Sequence, residues 1–181
     1  EMDSEFTEIN ASTTGTKELK ELIDSARLRF YGLERRTTYV YIDEFHRWNK
    51  LQQDSLLKAL EDGVLKFIGS TTENPYFAVN NAILSRVRNI YEFKRLSQED
   101  IKSLLLRALC DKEKGLGNLE IPYDKEALSI LADLSGGDGR VALDTLGFIV
   151  DNLNLSGEGS AVTKEVVAEA MQRKIGFYDK G

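Results

Sequence analysis

Two adjacent carboxylates, Asp43 and Glu44, close the apolar run Tyr39-Val-Tyr-Ile42. With aromatic and β-branched residues and no charge until it stops, the run reads as a strand buried on both faces, as in a parallel α/β sheet. Both acids then stand at its carboxyl end, the rim where open α/β sheets receive ligands. A carboxylate there can hold Mg²⁺ on a phosphate-bearing ligand, and a second one beside it can orient and polarise an attacking water. Asp-Glu also ends many strands with no chemistry attached, so the residues that follow decide the reading.

Lys50 to Leu60 carries Leu51, Leu56, Leu57 and Leu60 between polar residues and is closed by Glu61-Asp-Gly63, which predicts a helix. Val64-Leu-Lys-Phe-Ile-Gly69 is a second mostly apolar strand and runs into Ser70-Thr-Thr-Glu-Asn-Pro75. Strand, helix and strand with this connection length make a βαβ unit with parallel strands. Thr71, Thr72, Glu73 and Asn74 are therefore expected at the same edge as Asp43 and Glu44.

The remaining elements follow from the same patterns. Upstream, residues 5–11 predict a short strand, Ser12-Thr-Thr-Gly-Thr16 a turn, and Lys17 to Tyr31 a helix stopped by Gly32. Downstream, residues 76–85 predict a short helix leading to Ser85-Arg-Val-Arg88, and Asn89 to Phe93 a further strand. From Leu96 on the strand signals vanish. Ser97 caps a helix to about Cys110, with Asp100 as the partner of a capping box. Residues 112–118 read as a loop, and further helices are expected over 124–134, 140–153 and 164–174, the last capped by Thr163. Gly136-Gly-Asp-Gly139 and the flexible joint Ser156-Gly-Glu-Gly-Ser160 separate them. The change from alternating β and α to helices alone sets a domain boundary near residue 95.

The composition bounds the partners. The 181 residues carry 24 Lys plus Arg against 30 Asp plus Glu, a formal charge of -6, so the overall field favours neither nucleic acid nor anionic membrane. Any DNA contact needs a local basic patch. The single cysteine, Cys110, sits in an apolar pattern and reads as a buried thiol in a reducing compartment. No run is long enough to cross a bilayer and no signal-peptide pattern opens the chain, so a cytoplasmic protein with no membrane partner is expected. His46 lacks companion ligands for a metal and reads as a hydrogen-bonding residue; Trp48 reads as packing, and Arg35-Arg36 as a solvated turn.

An αβα layer, a small helical domain, strand-end acids, a strand-end Thr pair, Ser85-Arg-Val-Arg88 and Arg140 after Gly136-Gly-Asp-Gly139 together resemble the AAA+ ATPases. Within them, Asp43-Glu-Phe-His-Arg-Trp-Asn-Lys50, Gln52-Gln-Asp54, Glu61-Asp-Gly63 and Phe67-Ile-Gly-Ser-Thr-Thr-Glu-Asn-Pro75 resemble the RarA/MgsA group. This is the replication-associated recombination protein family, which includes the Werner-helicase-interacting protein and is related to clamp loaders. The resemblance covers almost the whole chain. It implies an α/β fold: a partial P-loop NTPase core over 1–95, a helical lid over 96–175, and the start of a linker over 176–181. It further implies that Asp43 serves Mg²⁺ in a Walker B strand and that Glu44 acts on the hydrolytic water. Thr72, or else Asn74, would be sensor 1, Arg86 the arginine finger and Arg140 sensor 2, with Asp43, Glu44, Thr72, Asn74 and Arg140 around ATP. A guanidinium suits the last two roles because its planar donors stay charged and grip phosphate oxygens in pairs.

The function so implied is ATP hydrolysis coupled to DNA transactions at stalled replication forks. Its partners would be single-stranded, gapped or forked DNA, replication or repair proteins, and further copies of the chain in an oligomer. A clamp-loader subunit and a Holliday-junction branch-migration motor share these motifs, and a non-catalytic scaffold of the same shape is the alternative of a different class. No Gly-x-x-x-x-Gly-Lys-Ser/Thr loop occurs in the 181 residues, so the β- and γ-phosphate cradle is not here. The expectation is a piece of a longer ATPase, inactive alone, that lacks Walker A and a C-terminal oligomerisation domain.

Overall fold

In the computed structural model, which describes residues 4–33, 35–156 and 161–178, three strands come first and helices follow. Strands β1 (Glu5–Asn10), β2 (Thr38–Asp43) and β3 (Leu65–Gly69) form a parallel sheet in that order. Helix α1 (Thr16–Tyr31) crosses from β1 to β2 and α2 (Lys50–Glu61) from β2 to β3, the connection parallel strands require. Asn10 lies opposite Asp43 and Ile42 opposite Gly69, so the three strands end together at one rim.

The alternation of β2 decides which way the acids face. Thr38, Val40 and Ile42 are fully buried, while Tyr39, Tyr41 and Asp43 are half-buried. The strand expected to be covered on both faces is thus packed on one. The tyrosines explain the misreading, since an aromatic ring with a polar tip suits a half-covered surface as well as a core. On the covered face Val40 and Ile42 meet Leu19, Ile23 and Ala26 of α1 and Leu56 and Ala59 of α2. Each such large aliphatic taken out of water contributes about 1.5–3 kcal/mol.

Helix α2 opens with a reciprocal capping box: Gln52 N–H donates to Asn49 Oδ1 at 3.0 Å and Asn49 N–H to Gln52 Oε1 at 3.1 Å. Its buried Gln53 donates to the carbonyls of Trp48 and Ala78 and accepts Asn80 N–H at 2.8 Å. That last bond divides what read as one short helix into α3 (Pro75–Ala78) and α4 (Asn81–Leu84). Asn80 is held in extended backbone and caps α4 through Ala82 N–H.

Asn89 to Phe93, read as a strand, adds nothing to the sheet. Ile90, Tyr91 and Phe93 are exposed, Phe93 at 96%. β propensity without a neighbouring row of backbone donors and acceptors makes no ladder. The chain divides into two compact units between Tyr91 and Glu92.

The second unit is built of α5 (Gln98–Cys110), α6 (Lys125–Leu134), α7 (Gly139–Ser156) and α8 (Lys164–Tyr178). Ile101, Leu105 and Leu109 form the i, i+4 stripe of α5 and pack with Leu128, Leu131, Leu146 and Ile149. Cys110 falls one position past that stripe and is exposed rather than buried. Helix α7 runs three residues beyond the expected end at Leu153, so Ser156 of the expected joint is helical; residues 157–160 lie outside the described ones. Helix α8 likewise continues through 176–178, where a linker was expected, and 179–181 lie outside the described residues. No helix among the described residues is long and apolar enough to cross a membrane.

Candidate functional site

At the rim of the sheet Asp43 is surrounded by hydrogen-bonding groups from all three strands. Ser70 Oγ, one residue past β3, donates to Asp43 Oδ1 at 2.5 Å, the short distance of a charge-assisted bond. The Tyr41 hydroxyl lies 3.1 Å from Ser70 Oγ and 3.4 Å from Asp43 Oδ1, and Asn10 Nδ2 lies 3.4 Å from Asp43 Oδ2. Backbone bonds lock the strand ends together: Ser70 N–H to Ile42 O at 3.0 Å and Phe45 N–H to Ser70 O at 2.9 Å.

Glu44 takes a left-handed backbone conformation, φ 54° and ψ 38°. For a residue with a Cβ this costs about 1–3 kcal/mol. The turn is held by Glu44 N–H on Asp43 Oδ1 at 3.1 Å and by Arg47 N–H on Glu44 O at 2.8 Å. It swings the chain out of the strand into a single 3-10 turn, Phe45–Arg47. Phe45 and Trp48 are buried and meet edge to face at 5.7 Å, and the Trp48 indole N–H reaches Thr14 O at 3.3 Å, so Trp48 packs as the sequence indicated. The Glu44 carboxylate faces His46, Oε2 to Nε2 at 3.3 Å, with Arg47 Nε at 3.9 Å.

Of the strand-end polar run after β3, Ser70 and Thr71 engage the acids' end of β2. Thr71 Oγ1 lies 3.1 Å from His46 Nδ1 and accepts Glu73 N–H at 3.0 Å. Thr72 and Asn74 are exposed; the Asn74 side chain caps α3 by accepting Tyr76 N–H. The sequence reading left Ser70, Tyr41 and Asn10 out of the site; it expected Thr71 at this edge but gave it no role. Tyr41 and Ser70 had a signal, the first two residues before the acid and the second directly after the partner strand; Asn10 had none, because only the register puts it opposite Asp43.

Arg86, just past α4, is engaged within its own unit. Its guanidinium pairs with Glu61 at the end of α2 and donates to Ala82 O at 2.5 Å. In the second unit Arg140 is exposed on the first turn of α7, whose amino end is capped by Asp138 accepting the N–H groups of Arg140 and Val141 at 2.9 and 3.2 Å. The anion that the helix dipole calls for beside this cation is thus partly supplied by Asp138. Arg140 lines an open cleft of about 660 Å³ with Phe93, Lys94, Arg95, Gly137, Asp138, Gly139 and Leu143. In its wall Gly137, at φ 79°, brings its backbone so close to Leu96 O that a Cβ would sit 2.7 Å away.

Among the described residues no group of three or more His, Cys, Asp or Glu side chains gathers to cage a metal. The rim instead presents one carboxylate beside the Ser70 and Tyr41 hydroxyls, a set of oxygen donors, with the Asn10 amide N–H group bracing the carboxylate. That suits Mg²⁺, which keeps several waters and is bound through one or two carboxylates together with substrate phosphates.

Residues 117–181 match the family model for the AAA C-terminal domain. Over 96% of its length the chain is 44% identical to replication-associated recombination protein A of Escherichia coli K12, and over 99% it is 38% identical to that of Haemophilus influenzae. It is 35% identical over 96% of its length to ATPase WRNIP1 of Dictyostelium discoideum, of which it covers 21%. The chain spans 38% and 40% of the length of the two bacterial relatives. In fold it is similar to the Thermotoga maritima RuvB Holliday junction branch migration motor, with TM-score 0.72 and 18% identity, covering 93% of this chain and 52% of that one.

Proposed function

This chain is, over nearly its whole length, a member of the replication-associated recombination protein A and WRNIP1 family of AAA+ proteins, and on that premise we propose that it carries the hydrolytic acids and the lid of an ATPase acting on DNA. The observation that carries the reading is the union of Asp43 with Ser70 and of Glu44 with His46 and Thr71, at the carboxyl rim of two adjacent parallel strands.

In this assignment Asp43 holds Mg²⁺, with Ser70 and Tyr41 fixing the direction of its carboxylate. Held there together with ATP, Mg²⁺ would supply positive charge to the phosphates. Glu44 orients the water, and Thr72, with Asn74 as the second candidate, contacts the γ-phosphate. Arg140, in the helical unit, takes the sensor 2 role. Arg86 is offered to the nucleotide of a neighbouring copy in a homo-oligomer. The phosphate loop is not among these residues, and we assign hydrolysis to a full-length protein of the relatives' extent, of which this chain spans about two fifths.

That protein would couple turnover to single-stranded, gapped or forked DNA at stalled replication forks, together with replication or repair proteins, in the cytoplasm and nucleoid of a bacterium or in a nucleus. The supporting observation is the kinship with proteins named for replication-associated recombination. The test is steady-state ATP hydrolysis by the full-length protein with and without gapped or forked duplexes. Stimulation by these duplexes above blunt duplex is expected; a rate indifferent to all DNA would overturn the coupling.

A further inference from the structure

His46 is the single histidine of the chain, and its side chain is only 5% exposed although it follows the acids in a surface turn. Burial of an imidazole is tolerated when both ring nitrogens are satisfied. Here Nε2 faces Glu44 Oε2 at 3.3 Å and Nδ1 faces Thr71 Oγ1 at 3.1 Å.

The chemistry of the two neighbours fixes the proton. An ionised carboxylate only accepts, so the nitrogen facing Glu44 must carry the hydrogen. In a neutral imidazole Nδ1 is then an acceptor, and the Thr71 hydroxyl donates to it. Thr71 Oγ1 is at the same time the acceptor for Glu73 N–H at 3.0 Å. Donation therefore runs one way, from the Glu73 backbone through the Thr71 hydroxyl and the His46 ring to the Glu44 carboxylate. The alternative, a doubly protonated ring, would turn the Thr71 hydroxyl onto Glu73 O, a longer contact of 3.4 Å.

The turn that carries the ring is also anchored. Phe45, next to His46, is 1% exposed and packs in a tilted arrangement against Phe67 of β3 at 4.8 Å, and Trp48 N–H closes the turn by donating to Phe45 O at 3.2 Å. Glu44, by contrast, has a side chain 32% exposed on a left-handed residue, and without a partner it would sample several rotamers.

We propose that His46 is a positioning residue: its Nε2–H, in the tautomer set by Thr71, holds the Glu44 carboxylate in one orientation and ties it to the loop that carries Thr72 and Asn74. This rests on the reading of Glu44 as the group that acts on water. A phosphate received against that loop is thereby set in a fixed relation to the carboxylate that acts on water, within one subunit. A misplacement of about 1 Å in such a group can cost on the order of 100-fold in rate.

Two measurements test it. In a ¹⁵N-labelled chain the single histidine gives two ring-nitrogen signals, and one protonated nitrogen at ε2 with an unprotonated δ1 is expected. Thr71→Val removes the donor to Nδ1 and shifts the tautomer mixture, while Thr71→Ser restores it. A wild-type ring protonated at δ1, at both nitrogens, or exchanging between tautomers overturns the proposal. In the full-length enzyme, His46→Ala and Thr71→Val lower kcat by roughly 10- to 100-fold with KM for ATP unchanged, and His46→Gln, whose amide N–H still reaches Glu44, recovers most of the loss. Wild-type kcat in His46→Ala and Thr71→Val, with Glu44→Gln inactive, removes His46 from the mechanism and leaves the role of Glu44 standing. Wild-type turnover in Glu44→Gln removes both.

Discussion

Ser70 and Asp43 meet across two strands, hydroxyl to carboxylate at 2.5 Å, and this bond ties the end of β3 to the acid at the end of β2. A carboxylate that must meet a cation in a fixed direction needs such a partner, since outer groups of this kind tune metal affinity by roughly 10- to 100-fold. In the full-length protein Ser70→Ala is therefore expected to raise the Mg²⁺ concentration giving half-maximal hydrolysis within that range, with an unchanged circular dichroism spectrum. An unchanged Mg²⁺ requirement would show that Tyr41 and Asn10 suffice.

Arg86 and Glu61 form an ion pair with side chains 36% and 50% exposed. Pairs so open to solvent contribute about 0–1 kcal/mol. Glu61→Gln should thus leave the melting temperature nearly unchanged and leave hydrolysis intact. Arg86→Ala should spare nucleotide binding and lower turnover in the assembled oligomer by about 10³- to 10⁵-fold, the effect of removing an arginine finger. Isothermal titration and steady-state hydrolysis on the same preparations separate the two effects.

The helical unit depends on the stripe of α5. Leu105 is fully buried among Leu128, Leu131 and Leu146. Leu105→Ala removes methyl groups and leaves a cavity, for an expected loss of about 2–5 kcal/mol, read by urea denaturation followed by far-UV circular dichroism.

Acid weakens the start of the same helix. Ser97 Oγ and Ser97 N–H donate to Asp100 Oδ2 at 2.6 and 3.1 Å, the hydroxyl first, and hold the Asp100 carboxyl below its ordinary 3.8. A pKa depressed by folding gives stability that is complete above the unfolded value of 3.8 and is lost as pH falls through the lower folded value. Ser97→Ala is expected to move the Asp100 titration upward, seen by carboxyl NMR, and to lower the melting temperature at neutral pH by more than in acid.

Much of this was legible in the sequence, for identifiable reasons. The βαβ unit follows from Ile42 and Ile68 standing in apolar runs that flank a leucine-bearing helix, and the crossover rule then makes the strands parallel. The capping box of Ser97 and Asp100 is written in letters three positions apart. Asn89 to Phe93 failed because an apolar run does not reveal whether a strand lies beside it. Cys110 failed because one residue of helical phase separates the buried face from the exposed one. Ser70 and Thr71 were visible as letters, but their partners, Asp43 and His46, are fixed by register between strands 27 and 25 residues apart.

The central claim is that the Asp43 and Glu44 rim is the hydrolytic centre. The most direct measurement compares Mg-ATP binding and single-turnover hydrolysis by the full-length wild-type protein and its Glu44→Gln variant. Retained binding with hydrolysis lost is the predicted result. Hydrolysis by the variant at the wild-type rate would contradict the account.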